Sequence, residues 1–184
     1  MGFEERGKAL EEAFFAKKNK ELLEQVKQDL DATSQRAALV AATGIREDDL
    51  LDRLLAIGIN TESLTAMSIV PMVLVAWADG KIDAKERAAI LSGADKSGIK
   101  PDTLAAKLLE GWLSDQPDDS LAAAWKDYMQ AVCGKLAAGD KVKLQEEVIG
   151  RSKSVAEAAG GFLGLGSIST QEQRVLDSLN AAFK

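Results

Sequence analysis

The chain has no histidine, one cysteine (Cys133), one tyrosine and three prolines among its 184 residues. Without histidine it lacks the commonest transition-metal ligand and the usual general base near neutral pH. Zinc sites and Ser-His or Cys-His chemistry are therefore not expected, and any metal site must be built from oxygens, which suits calcium, magnesium or manganese. One cysteine allows no intrachain disulfide, in keeping with a reducing compartment. Basic charge is in deficit: 23 Lys and Arg stand against 29 Asp and Glu, for a net charge of -6. That argues against binding a phosphate backbone, which needs cations to neutralise it. The longest apolar stretch, residues 66–78, is broken by Ser68 and Pro71 and is too short to span a bilayer. The charged N-terminus lacks the apolar core of a secretory leader. A cytoplasmic location with no stable membrane insertion is the expectation.

Alternating strand patterns are missing too. Helical spacing is present almost throughout. Phe3, Leu10 and Phe14, with Phe15, Leu22, Val26 and Leu30 on a second row, predict an N-terminal amphipathic helix. Asp31-Ala32-Thr33-Ser34 breaks this pattern, which divides the chain into an N-terminal helix (1–32) and a helical domain (33–184). A short helix then runs to Thr43. Another covers Asp48 to Ala56 and ends at Gly58, and Asn60 or Thr61 caps the next.

Pro71 cannot donate a backbone hydrogen bond, so the segment after Asn60 should end near Ile69 and restart at Pro71. Met72 to Ala78 is apolar on every side and belongs at the centre of a bundle. Asp83 starts a helix that runs to about Ser97 and closes at Gly98-Ile99. Pro101 opens the next, with Leu104, Leu108 and Trp112 on one stripe. After a loop at Asp115–Ser120 come stripes at Leu121, Trp125, Tyr128, Val132 and Leu136. Past Gly139-Asp140, Leu144, Val148, Val155 and Ala159 form the next stripe. A glycine-rich connection, 160–166, leads to a last helix capped by Ser169 and Glu172, with Val175, Leu176, Leu179 and Phe183 inward. The fold class is all-α: a single compact bundle of about eight helices plus the N-terminal helix. Cys133 and the three tryptophans lie on apolar stripes and read as core.

The buried segment delivers carboxylates to one tight turn, Asp79-Gly80-Lys81-Ile82-Asp83, with Glu86 in the following helix. With Gly80 placed at the glycine of an EF-hand loop, Asp79, Asp83 and Glu86 fall on its fifth, ninth and twelfth positions. The first and third fall on Val75 and Trp77, which offer no side-chain oxygen. Asp79, Asp83 and Glu86 are thus candidate ligands for a weak calcium or magnesium site. The same residues are already accounted for as a turn followed by a capping box, the stronger of the two readings. The pattern Gly-x-Ile-cap-x-x-Glu occurs at Gly80–Glu86 and again at Gly166–Glu172, a degenerate internal repeat whose two turns could face each other across a pseudo-twofold axis.

The run Ala-Trp-Ala-Asp-Gly-Lys-Ile-Asp-Ala-Lys-Glu (76–86) resembles the signature of the TerB-like family, named for tellurite resistance, and the helical layout from about Gly44 onward is similar. The resemblance implies an all-helical module linked to metal binding and stress responses. A shorter stretch, Phe3-Glu4-Glu5-Arg6-Gly7-Lys8-Ala9-Leu10-Glu11, is similar to the start of the zeta-type inhibitor of ATP synthase. No nucleophile, base and orienting group come together, so no enzyme is expected. The expected role is a protein-binding module, with a divalent cation at the acidic turn. The alternative is an inhibitor that acts through its N-terminal helix on an ATPase-like partner.

Overall fold

The computed structural model describes residues 31–159 and 168–184. The expected helix over 3–30 and the glycine-rich connection lie outside the described residues. Among the described residues every regular element is helical. In chain order these are α1 (31–43), α2 (Asp48–Ala56), a 3₁₀ turn (Leu64–Ser68), α3 (Val70–Ala76), α4 (Ala84–Lys96), α5 (Leu104–Ser114), α6 (Asp119–Cys133), α7 (Ala138–Ala159), α8 (Thr170–Asn180) and a final 3₁₀ turn (Ala181–Phe183). The chain is all-α.

Residues 31–34 are already helical, so the expected break is not at that point; Gln35 Nε2 donates to Asp31 Oδ2 at 2.9 Å, a one-turn bond that supports the helix. Two other starts also differ from the reading of the sequence. Pro101 lies in a turn, and Thr103 caps α5 by accepting from the Ala106 N–H at 3.2 Å. Asp102 takes a φ of 66°, which no helix accommodates, so the helix begins after it. Gly139 and Asp140 do not separate helices; they sit in the first turn of α7, where an acidic side chain is favoured by the helix dipole. On α5 the innermost row is Ala105, Leu109 and Leu113, while Leu104, Leu108 and Trp112 form a half-buried flank one position away. Asp118 caps α6 inside the expected loop, and Leu136 is exposed beyond the helix end.

The expected central segment is central. α3 contacts α4, α6, α7 and α8, and Val70, Val73 and Val75 have no exposed surface. Gly93 lets α4 approach it closely, since a Cβ there would lie 2.6 Å from Met72 Cε. Pro71 stands in the first turn of α3, and the preceding residues take only the short 3₁₀ turn. In an uninterrupted α-helix the Met67 carbonyl would accept from the N–H of position 71, which proline lacks. Trp125 Nε1 donates to that carbonyl instead, at 3.1 Å. The Trp125 indole is fully buried and meets the Phe183 ring edge-on, with centroids 6.2 Å apart. At the other end of α3, Trp77 Nε1 donates to the Trp112 carbonyl at 2.7 Å. This bond ties the entry of the acidic turn to the end of α5. Cys133 is buried as expected.

Candidate functional site

α3 ends at Ala76, and the chain turns through Asp79 and Gly80 into α4. Gly80 adopts a φ of +86°, a conformation that costs an L-residue about 1–2 kcal/mol. Asp79 Oδ1 accepts from the Lys81 N–H at 3.1 Å, which closes the turn over Gly80. Asp83 then caps α4. Its Oδ1 accepts from the N–H groups of Lys85 (2.7 Å) and Glu86 (2.8 Å), and its own N–H donates to Glu86 Oε2 at 2.8 Å. The capping box read from the sequence is complete.

The second copy of the repeat builds the same box. The Ser169 N–H donates to Glu172 Oε2 at 2.6 Å, and the Glu172 N–H donates to Ser169 Oγ at 3.2 Å. Both glutamates are buried, at 5% and 7% exposure, whereas Asp79 and Asp83 are exposed. Exposure separates the three predicted ligands into two rim aspartates and one inward glutamate.

Glu86 is the perturbed group. Its pKa is raised from 4.5 to about 7. Burial is the largest cause, because a charged carboxylate loses hydration there. The hydrogen bond from the Asp83 N–H opposes this. The negative charges of Asp83, Asp79 and Glu172 push the same way as burial. The charge of Glu172 thus acts on Glu86 across the repeat, as the smallest of these causes. The burial of Glu86 was not expected from the sequence. A capping-box pattern looks the same on an exposed helix as on a covered one, so the sequence carried no signal for it.

Among the described residues, no group of three or more Asp, Glu and Cys side chains is arranged to hold one metal ion. Asp79, Asp83 and Glu86 do not converge as an inner ligand set, and one oxygen of each is engaged by a backbone N–H. The arrangement that remains open to a cation is an outer one, in which a hydrated ion sits against one or two carboxylates, as magnesium commonly does.

Beside the turn lies a groove of about 370 Å³ with Trp77, Val175 and Leu179 along it and Lys126 and Arg174 at its rim. No protein family, no curated protein and no solved structure matches the chain. Among the described residues no helix is long and apolar enough to cross a membrane.

Proposed function

We propose that the chain is a non-enzymatic, TerB-like protein-interaction module of the cytoplasm, with the paired capping turns as its working centre. The observation that carries this reading is Glu86. It is a buried carboxylate on an otherwise ordinary cap, held near neutrality by burial and by three further carboxylates from two separate turns. Carboxylates perturbed by burial together with specific neighbouring charges cluster at functional sites. The exposed Asp79 and Asp83 carry this centre to the surface next to the groove at Trp77. A hydrated calcium or magnesium ion at the two aspartates is the ligand that the charge favours, and it would report loading to a protein partner at the groove.

The test is calorimetric titration of calcium, then magnesium, into chelator-treated protein, followed also by tryptophan fluorescence. Saturable heat with a dissociation constant of about 10⁻⁴–10⁻³ M, the range of weak extracellular calcium modules, is the expected result. It should vanish in an Asp79→Ala, Asp83→Ala variant. Equal heats in wild type and variant would remove the cation from the proposal.

A further inference from the structure

The central segment is covered along all but one row. From Val70 to Ala78 every residue is buried except Leu74, Trp77 and Ala78, which stand three and four positions apart on one face and are half-buried. α6 and α8 both pack on α3. The groove of about 370 Å³ opens over this row, with Ala122 of α6 on one wall and Val175 and Leu179 of α8 on the other. An apolar cavity of about 150 Å³ accepts one benzene ring, so the groove has room for one large apolar side chain and part of the backbone that carries it.

The charge on its rim points to the occupant. Arg36, Arg53 and Arg151 each pair with a carboxylate, and Arg87 donates to the Leu113 carbonyl. By contrast, the side chains of Lys126 on α6 and Arg174 on α8, both lining the groove, have no ion-pair or hydrogen-bond partner among the described residues. Two aspartates share the rim. Asp118 is taken up by the start of α6, accepting from the Ser120 N–H at 2.8 Å and from the Ser120 hydroxyl. Asp119 lies in the first turn of the same helix, where the dipole already offsets a negative charge. Two cations from separate helices are thus left without a counter-charge. The net charge of -6 is spread over the whole chain, and salt at about 0.1 M screens exposed charges beyond about 10 Å, so the local pair governs this rim.

We propose that this groove binds an acidic peptide segment of a partner protein, one large apolar side chain lying on Leu74 and Trp77 and flanking carboxylates pairing with Lys126 and Arg174. A carboxylate suits both cations, and it can meet the arginine fork with two parallel hydrogen bonds. A basic segment would face two like charges, and an uncharged one would leave both cations unpaired. The inference rests on the reading of the chain as a protein-interaction module and names the chemistry of the partner. It does not require a cation at the acidic turn.

Trp77 supplies the readout, because it lines the groove and its indole N–H donates to the Trp112 carbonyl. Its indole resonance, assigned by its loss in Trp77→Phe, is followed by two-dimensional NMR of the full chain with a chelator present. Three end-capped tripeptides are titrated: Glu-Phe-Glu, Lys-Phe-Lys and Glu-Gly-Glu. Glu-Phe-Glu is expected to move the resonance saturably and to bind about tenfold more tightly than Lys-Phe-Lys, as two exposed pairs change from attraction to repulsion. It should also exceed Glu-Gly-Glu by about tenfold, the effect of burying one aromatic side chain. In a Lys126→Glu, Arg174→Glu variant the order of the two charged Phe peptides should reverse, and Arg174→Glu alone, at an exposed position, should narrow the difference. An unmoved Trp77 resonance, equal binding of acidic and basic peptides, or equal binding of Glu-Gly-Glu would each overturn the proposal. The chelator makes these outcomes independent of calcium: absent calcium heat leaves this inference standing, and absent peptide binding leaves the cation at the acidic turn standing.

Discussion

Glu86 and Glu172 hold the same position in two capping boxes, 86 residues apart in sequence, and the charge of one raises the pKa of the other. Each carboxylate accepts from the N–H of its own cap residue. Each is buried beneath its helix N-terminus. The two boxes differ in their surroundings. The first has Asp79 and Asp83 around it, and the second is capped by the uncharged Ser169. An acidic centre therefore arises at one end of an internal repeat from two turns that are locally alike.

Glu86 makes stability depend on pH in an unusual direction. Its folded pKa, about 7, lies above the ordinary 4.5, so the fold favours the protonated form. This contribution is fully present below about pH 4.5 and is lost as the pH rises through about 7. Glu86→Gln keeps an acceptor at the third helical position, which a capping box tolerates. The variant is expected to be more stable than wild type at about pH 8 and to flatten the decline between about pH 5 and pH 8. Urea midpoints at the two pH values read the effect, and parallel curves for the two proteins would contradict it.

Removing the charge of Glu172 should be felt across the repeat. Glu172→Gln retains the capping acceptor and deletes one of the repulsions on Glu86, so the Glu86 titration is expected to move downward. The side-chain carboxyl resonance of Glu86, followed by NMR through a pH series, gives its midpoint directly. An unchanged midpoint would mean that burial and the near aspartates account for the whole shift.

Trp125 and Pro71 meet at one backbone oxygen. Trp125→Phe withdraws the donor from the buried Met67 carbonyl, and leaving such a group unpaired costs about 1–3 kcal/mol. Pro71→Ala restores an N–H at the position that an α-helix would use. The indole substitution is expected to cost less in the Pro71→Ala background, by about 0.5–1.5 kcal/mol, the net worth of one hydrogen bond. Denaturant unfolding of the four proteins closes the cycle, and additive losses would show that the carbonyl is not the shared partner.

Cys133 should behave as a core atom. Burial pushes its thiol up, and the nearby charge of Lys141 offsets only part of this. The thiolate is the reactive form, so native protein should react slowly with a thiol reagent. Labelling is expected to rise with urea in step with the loss of helical signal. Fast labelling of the fully helical protein would place the thiol at the surface.

Local grammar was legible in the sequence wherever a residue type is required at a fixed offset. Asp83 with Glu86 and Ser169 with Glu172 were read as capping boxes, and both form. The Gly98–Ile99 stop also forms: the Ile99 N–H reaches the Ala94 carbonyl at 3.0 Å and the Gly98 N–H that of Asp95 at 2.9 Å. Readings failed where two local solutions compete. Pro101 and Thr103 can each begin a helix, and the left-handed Asp102 between them decided for Thr103. Gly139-Asp140 has the composition of a linker, yet the helix runs through it. On α5 two neighbouring rows are both apolar, so spacing alone does not choose between them. The acidic centre was half legible. Its residues and its repeat are written in the chain, but how far Glu86 sinks depends on which helices close over it.

The brevity of α3 has a dynamic consequence. Seven residues are far fewer than the roughly 12–15 at which an isolated helix becomes even marginal in water. Nothing intrinsic to this segment holds its backbone hydrogen bonds, and α4, α6, α7 and α8 enclose it. Its amide protons therefore have no local fraying route to solvent. They should exchange only when the whole bundle opens, which makes the shortest α-helix among the described residues the slowest exchanging of them and a direct gauge of global stability.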